Sequence, residues 1–286
     1  MSDIDYEAIA RDAGLKRVGA RPPLGEYLAE IWRRRAFAYS LAKFRIQASL
    51  NESRLGLGWI VLQPLLNAAL YGLVFGFIMS SSSRPENFIA FLVVGVFTFQ
   101  FFAQSFSQGA RSITGNSGLV RSLSFPRMLM PIAQVLQELI ELIPMVLVMG
   151  IIVAGTGEAI TWKWLLVIPV YALMAMFNLG VALIAARLTV HLRDVTQMIP
   201  LISRLIFYSS GIFYSLELVL ADNPPWMLTV AQLNPVHDYI ALVRNFMIAG
   251  PELEPLVWIV AVGGAFVTLA IGIVFFWRAE ERYGRD

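Results

Sequence analysis

The sequence predicts an all-α polytopic membrane protein, and three observations lead to this fold class. Of its 286 residues, 57% are hydrophobic and only 15% are charged, which is more apolar surface than a water-soluble domain of this size carries. Several apolar runs exceed the roughly 18 residues that a membrane-spanning helix needs. These runs are continuous rather than alternating with a period of two, which argues against a transmembrane β-barrel.

The region 57–286 is predicted to form one membrane domain with six transmembrane helices. The predicted spans are 57–79, 88–110, 129–154, 163–186, 197–215 and 256–277. Segments on the amino-terminal side hold ten Lys and Arg in 1–56, three in 111–127, two in 187–196 and three in 278–286, whereas the opposite loops hold only Arg84, Lys163 and Arg244. The positive-inside rule therefore places both termini in the cytoplasm, and we expect no cleavable signal peptide.

Two segments precede the first span. Residues 1–22 are charged and small, and we expect them to be flexible. Residues 23–56 predict an amphipathic helix in the membrane interface, because its cations can meet anionic headgroups while its apolar side chains enter the acyl boundary. An ordinary helix on a soluble surface is the less favoured alternative, because no soluble domain follows. The residues assigned to the interfacial helix include Trp32, Arg33, Arg34, Arg35, Lys43, Phe44 and Arg45.

The loop 111–131 is too polar for a bilayer and predicts one short helix over 116–126. Asn116 or Ser117 can cap its first turn, and Pro126 ends it. Its apolar face holds Leu119, Val120 and Leu123. An isolated helix of two to three turns is not stable in water, so we expect this helix to dock against another protein chain.

The first span carries a stripe of aromatic and amide side chains at four-residue spacing. Its members are Trp59, Gln63, Asn67, Tyr71 and Phe75. Amides that face lipid are costly, so the stripe predicts a face toward other protein or a water-filled path. An equally favoured alternative places Trp59 in the interfacial belt and uses the amides for helix–helix contact.

Small residues also repeat at four-residue spacing in two predicted spans. They are Ala68, Gly72 and Gly76 in the first span, and Gly264, Thr268 and Gly272 in the last. Such stripes let helices approach closely, which favours their association in lipid.

Three ionisable residues, Glu138, Glu141 and Arg204, fall inside predicted spans. Each charge at mid-bilayer costs roughly 2.5–3.5 kcal/mol even on a translocon scale, so pairing or hydration is required. Glu138 and Arg204 have similar predicted depths, and we expect Arg204 to pair with Glu138 or Glu141. A proton-relay role for the two glutamates is the less favoured alternative.

The external segment 216–248 is too long for a turn and too apolar for a solvated loop. Pro224-Pro225 interrupts it, and Asn234-Pro235 opens a second helix with a cap and a proline at its first position. We therefore expect short re-entrant or interfacial gate helices at the outer face. The aromatic residues assigned to this external gate are Phe207, Tyr208, Phe213, Tyr214, Trp226 and Tyr239.

Enzyme chemistry has little support in the sequence. The only lysines are Lys16, Lys43 and Lys163, none of which lies in a glycine-rich phosphate-binding loop. There is no cysteine, and His191 and His237 lie on opposite sides of the predicted membrane, so a shared metal site is not expected. We expect no cofactor, metal or nucleic acid on this chain. The remaining interpretation is a helical bundle that transports a substrate and takes its energy from a partner protein.

Residues spread over about 24–280 resemble one transporter family. They are Lys43-Phe44-Arg45, Ser53 to Gly56, Gly58-Trp59, Gln63-Pro64, Asn116 to Arg121, Phe125-Pro126-Arg127, Pro131, Arg193-Asp194, Asn234-Pro235 and Arg244. Together they resemble the transmembrane subunits of type-2 ABC exporters for polysaccharides, the family of Wzm and of the teichoic acid export permeases.

The resemblance implies a homodimer with two copies of a separate ATPase, which binds ATP and Mg, in a bacterial inner membrane. It implies that 116–126 is a coupling helix, flanked by the interfacial helix 24–50. Its docking residues would be Asn116, Leu119, Val120, Arg121, Leu123, Phe125, Pro126 and Arg127. The implied substrate is a glycan on a polyprenyl diphosphate lipid, and the stripe from Trp59 to Phe75 corresponds to an aromatic channel. A permease for a small molecule and, less favoured, a non-transport protein of cell-envelope synthesis stay open.

Overall fold

The computed structural model describes residues 22–52, 56, 58–78, 87–122, 125–192, 194–220, 223–249 and 253–280. Throughout these ranges the regular secondary structure is helical, and they contain no β-strand. Five helices are long and apolar enough to cross a membrane: Gly58–Gly76, Phe88–Arg111, Leu129–Gly155, Trp162–His191 and Pro255–Trp277. The predicted all-α membrane class is therefore confirmed.

The described residues form twelve α-helices, joined by two short 3₁₀ segments. In chain order the helices are α1 Leu24–Arg33, α2 Arg35–Glu52, α3 Gly58–Ile78, α4 Phe88–Arg111, α5 Ser117–Ser122, α6 Leu129–Gly155, α7 Val167–His191, α8 Val195–Ser209, α9 Leu216–Val219, α10 Pro225–Ala231, α11 Pro235–Met247 and α12 Pro255–Trp277. The 3₁₀ segments are Thr114–Asn116 and Trp162–Leu166. Below, the end of the bundle with α1, α2 and α5 is the amino-terminal end, and the end with α9–α11 is the distal end.

The fifth predicted span, 197–215, is only partly helical. Helix α8 has 15 residues and ends at Ser209, so it is about 22 Å long, whereas a bilayer core is roughly 30 Å thick. Gly211 has φ 63°, a left-handed conformation that ends a helix. The prediction of a helix through residue 215 is therefore wrong, because the chain turns at Gly211.

Helix α4 is the centre of the bundle. Its large side chains Phe97, Phe101 and Phe102 are almost completely buried. Some polar groups inside the bundle are paired between helices: the Thr98 and Tyr171 hydroxyls lie 2.9 Å apart, and Asn178 of α7 donates to Ser105 Oγ at 3.3 Å. Such pairing is needed because lipid offers a buried polar group no alternative partner.

Helices α7 and α12 are in backbone contact. A Cβ added to Gly180 would lie 2.5 Å from the carbonyl carbon and oxygen of Thr268, and one added to Gly272 would lie 2.6 Å from the Gly180 oxygen. This contact confirms the close approach that the stripe in the last span predicts. Gly264 of the same stripe faces Pro235, the first residue of α11.

The predicted amphipathic helix is divided at Arg34, which leaves the helical conformation with ψ 16°. Ala38 and Ala42 of α2 are buried, and Ala38 packs with Leu129 and Ala133 at the start of α6. Small side chains on this face of α2 therefore place its backbone against the bundle.

The predicted external segment contains α9, α10 and α11. Asn234 caps α11, since its Oδ1 accepts from the Val236 N–H at 3.1 Å and Pro235 occupies the first turn. This confirms the predicted start of that helix. Much of α11 is buried in the bundle, whereas α10 has no buried residue.

Candidate functional site

Helices α3, α4 and α8 form a groove with a cavity of about 200 Å³. It combines aromatic side chains with neutral polar groups and one cation. The lining residues are Asn67, Tyr71, Val96, Phe99, Gln100, Ser203, Arg204, Phe207 and Tyr208. Asn67 and Tyr71 belong to the predicted stripe of the first span, so part of that stripe does face a groove between helices.

An aromatic cluster extends from this groove toward the distal end. Phe213 stacks on Phe75 with ring centroids 4.2 Å apart and meets Tyr71 edge-on at 5.0 Å. Phe207 contacts Tyr71 at 5.3 Å and Phe99 at 4.9 Å. Tyr71 and Phe75, predicted for a channel, therefore form one continuous cluster with Phe207 and Phe213, predicted for an external gate.

Phe99 is a member of this cluster that the sequence analysis did not assign. The signal was an aromatic run in α4, because Phe97, Phe99, Phe101 and Phe102 follow one another closely. Sequence alone does not show which of these rings enters the core and which lines the groove. Phe101 and Phe102 are buried in the core, whereas Phe99 lines the cavity.

Other predicted residues lie elsewhere. Trp59 and Gln63 are exposed and do not line the groove, and Trp226 is exposed on α10. Tyr239 is fully buried and donates its hydroxyl to the Ala261 carbonyl at 2.7 Å, so its assignment to an external mouth is wrong. Tyr214 lies beside the cluster and donates to the Tyr208 carbonyl at 2.7 Å.

The predicted ion pair of Arg204 with Glu138 or Glu141 is also wrong. Among the residues that the structure describes, every ion pair involves other groups. Glu138 accepts from Gln134 at 2.9 Å and Glu141 from Gln137 at 2.9 Å, in both cases one turn along α6. The amides thus satisfy the two acids on their own helix.

The hydrogen bonds between amides and acids on α6 extend to α2 of the amphipathic segment, where Arg45 Nη1 donates to Gln134 Oε1 at 2.7 Å. Arg45 is therefore bound to the bundle. Around the division between α1 and α2, Arg33 and Arg34 pair with Glu30, and the Arg35 guanidinium lies 4.9 Å from the Trp32 ring centre. The outward side of α1 and α2 presents Trp32, Lys43 and Phe44.

At the amino-terminal end, Tyr27 and Glu280 connect three segments. The Tyr27 hydroxyl donates to Glu280 Oε2 at 2.7 Å and accepts from the Met128 N–H at 3.2 Å. Glu280 Oε1 accepts from the Arg127 N–H at 3.0 Å and lies 3.5 Å from Arg127 Nη1. Burial raises the pKa of Glu280, while these hydrogen bonds act to lower it.

The predicted coupling helix is shorter than 116–126 and turns its apolar face inward. Val120 is buried, and Leu119 and Val120 pack in a cluster with Ile113, Met128 and Phe276. The chain's own cluster therefore covers Leu119 and Val120 of the predicted apolar face, and the docking of this helix against another protein chain stays a prediction.

Residues after α5 also face the protein. Phe125 contacts Phe37 with ring centroids 5.0 Å apart, Pro126 is buried, and Arg127 pairs with Glu280. Asn116 donates to the Ser112 carbonyl at 2.9 Å, so its side chain is turned back toward α4. The Arg121 side chain and Leu123 lie outside the described residues.

The outward surface of this loop is small and polar. Its exposed residues are Arg111, Thr114, Gly115, Ser117, Gly118 and Ser122. A Cβ at Gly115 or at Gly118 would meet no atom within 4 Å. A partner can therefore approach the backbone here closely, without displacing side chains.

The described structure is a helical bundle with a polar–aromatic groove and an anchored loop whose outer surface is open, an arrangement that suits a transport subunit. The chain belongs to the ABC-2 type transporter family, whose model matches residues 38–248. It is 28% identical over 259 residues to an O-antigen export system permease protein RfbA of Myxococcus xanthus, covering 88% of this chain and 96% of that protein.

Two further relatives come from enteric bacteria. An O-antigen export system permease protein RfbA of Klebsiella pneumoniae is 27% identical over 242 residues, covering 83% of this chain and 90% of that protein. The polysialic acid transport protein KpsM of Escherichia coli is 23% identical over 238 residues, covering 82% and 90% respectively. The chain therefore spans nearly the whole length of these relatives, some of which are named for O-antigen and one for polysialic acid.

Proposed function

We propose that this chain is the membrane subunit of an ATP-driven exporter that moves a lipid-linked polysaccharide outward across the bacterial inner membrane. The observation that carries the proposal is its similarity, over nearly their full length, to permease and transport proteins named for O-antigen and for polysialic acid. Family membership supports the same mechanism class.

The groove suits a polymer that has to slide. Tyr71, Phe207 and Tyr208 offer ring faces, which contact the C–H surfaces of sugars without fixing one register. Asn67 and Gln100 add hydrogen-bonding groups beside them. A chain of sugars can then exchange one set of equivalent contacts for the next.

A second copy of the chain would close the groove. Helix α3 lines it but is the least covered of the long helices, and Leu66, Leu70 and Leu73 are each more than half exposed. We propose a homodimer in which two such grooves face one path, with lipids around the remaining apolar surface. Helix α8 and the turn after it would form the sixth crossing, which returns the carboxyl terminus to the cytoplasm with the amino terminus.

A separate ATPase would dock at the outward surface of the 111–122 loop. Exposed Ser117 and Gly118 permit close backbone approach, and the apolar side of α5 anchors the loop to Tyr27 and Met128. In this arrangement ATP and Mg bind only to the ATPase, in two copies, and the loop receives its motion.

Gly118→Trp tests both the partner and its docking place. Gly118 is exposed and a Cβ there meets no atom within 4 Å, so we expect assembly in the membrane to be unchanged while ATPase docking is blocked. We expect loss of ATPase co-purification and of polymer export from cells. Gly155→Trp is the matched control, because a Cβ at this residue also meets no atom within 4 Å and lies at the distal end. Unimpaired export by Gly118→Trp would contradict the docking surface, and a purified complex without any ATP-hydrolysing subunit would contradict the transporter itself.

A further inference from the structure

Arg204 lies in the groove on α8, which the proposed function makes part of a membrane crossing. It is nine residues from the start of α8, which places its Cα about 14 Å along the helix. Within the described ranges, no carboxylate lies at ion-pair distance from its guanidinium. A cation at this depth is costly unless it is neutralised or hydrated, so such a residue marks a functional position.

The two acids on α6 do not supply the missing charge. Glu138 and Glu141 accept hydrogen bonds from Gln134 and Gln137 on α6. The residues that line the groove with Arg204 include no acid at all. Among the described residues no acid neutralises Arg204, which leaves water or another molecule to do so.

The other polar groups of the groove are neutral hydrogen-bonding groups. Asn67 and Gln100 carry amides, and Ser203, Tyr71 and Tyr208 carry hydroxyls. An arginine fork surrounded by such donors matches the several oxygens of a phosphate or diphosphate, and the fork binds two oxygens at once. A cation would find one repulsive charge here and no attractive one.

We propose that this groove binds a phosphate-type oxyanion of the exported substrate, with Arg204 as its cationic contact. The identity of the carrier molecule rests on the proposed function, in which a diphosphate joins glycan to lipid. The adjoining rings of Tyr71 and Phe207 then contact the sugar next to the phosphate. The site recognises the junction of lipid and glycan, the one part of the substrate that does not depend on the polymer repeat.

Binding of defined probes tests this site in the intact complex of chain and ATPase, held in nanodiscs of zwitterionic phospholipid. The probes are an undecaprenyl diphosphate, the same polyprenol without phosphate, and inorganic diphosphate, measured by native mass spectrometry. We expect Arg204→Gln to weaken polyprenyl diphosphate at least about tenfold, as the loss of a charge-assisted contact implies, and to leave polyprenol unchanged. If inorganic diphosphate competes with polyprenyl diphosphate, the anion alone is sufficient for binding. If inorganic diphosphate does not compete, the lipid is also required.

Matched variants make the result specific. Arg33→Gln removes an exposed arginine at the amino-terminal end and should leave all three probes unaffected. Gln100→Leu removes a neutral group of the groove but keeps the charge, and should weaken polyprenyl diphosphate about threefold, as loss of one neutral hydrogen bond implies. If Arg204→Gln does not assemble, Gln100→Leu still tests the groove.

Equal affinity of Arg204→Gln and wild type for polyprenyl diphosphate would overturn the proposal. The proposal would also be overturned if the Arg204→Gln complex separated into single subunits that still bind polyprenyl diphosphate as wild type does. Arg204 would then serve assembly with a second copy and not ligand binding. Unchanged affinity for Gln100→Leu in a complex that contains Arg204 would also contradict the groove as the binding place. These outcomes leave the proposed function standing as long as the complex hydrolyses ATP and cells export polymer.

Discussion

The hydroxyl of Tyr27 donates to the carboxylate of Glu280 at 2.7 Å, although 253 positions separate the two residues along the chain. Both side chains are nearly inaccessible to solvent. Through Arg127 and Met128 the same pair also holds the segment that follows α5. The first described helix, the segment after α5 and the residues that follow the last helix are therefore one unit.

Tyr27→Phe should destabilise this unit by about 1–3 kcal/mol, because it leaves a buried carboxylate oxygen and the Met128 N–H without the hydroxyl. Thermal unfolding of the purified chain measures the change. Tyr39→Phe is the control, since Tyr39 lies exposed on α2 and should be neutral. Equal effects of the two substitutions would contradict a structural role for the buried hydroxyl.

Gly180→Ala should separate α7 from α12 and lower stability by about 1–3 kcal/mol, since its Cβ would lie 2.5 Å from backbone atoms of Thr268. Backbone atoms cannot move aside as a side chain can. Gly263→Ala is the matched control in α12, where the added Cβ meets nothing within 4 Å. A melting temperature of Gly180→Ala equal to that of Gly263→Ala would contradict the contact.

Arg244→Lys should destabilise the distal end by about 2–3 kcal/mol. The guanidinium donates to the carbonyls of Phe91, Gly211 and Ile212 at 2.9–3.2 Å, and one ammonium cannot reach all three. Limited proteolysis of the purified chain measures the opening of this end.

Gly95→Ala provides an independent test of the same arginine, because its Cβ would lie 2.5 Å from Arg244 Nη2 and would displace the guanidinium. Arg33→Lys is the control at an exposed site. If Arg244→Lys and Gly95→Ala both resist protease as wild type does, the hydrogen bonds of the Arg244 guanidinium to the three carbonyls have no role in stability.

Asp238 makes stability depend on pH. Both of its carboxylate oxygens are buried and lack a hydrogen bond among the described residues, and burial raises its pKa to about 8. Between about pH 4 and pH 8 the folded state keeps a proton that the unfolded state releases, so stability falls as pH rises through this range.

Asp238→Asn should flatten this dependence and raise the melting temperature at pH 8.5 relative to wild type. Melting temperatures of both proteins from pH 5 to pH 9 measure it, and the difference between the two curves isolates the contribution of Asp238. Parallel curves for the two proteins would show that Asp238 does not titrate across this range.

The apolar runs and the glycine spacing were sufficient to predict the class of fold and the close approach of α12. Asn234-Pro235 was sufficient for the start of α11, because capping is a local interaction. The end of α8 was not predictable in the same way. Residues 197–215 are apolar throughout, and only the left-handed backbone at Gly211 shows that the helix stops.

The candidate site was predicted in parts. Periodicity identified Tyr71 and Phe75, but it could not show that they meet Phe207 and Phe213, because that contact joins helices distant in sequence. The same limitation explains the error at Arg204, since similar depth on two helices does not make them neighbours. For α5, the pattern identified the apolar face correctly but not the part of the molecule that covers it.

Helix α12 is held at three heights. Just beyond its end, Glu280 accepts from the Arg127 N–H, at Gly272 the helix lies against α7, and at Ala261 and Gly264 it meets Tyr239 and Pro235 of α11. One helix about 35 Å long therefore connects the amino-terminal end of the bundle to α11. A shift of this helix along its axis would therefore disturb contacts at both ends of the bundle at once, without involving the residues of the groove.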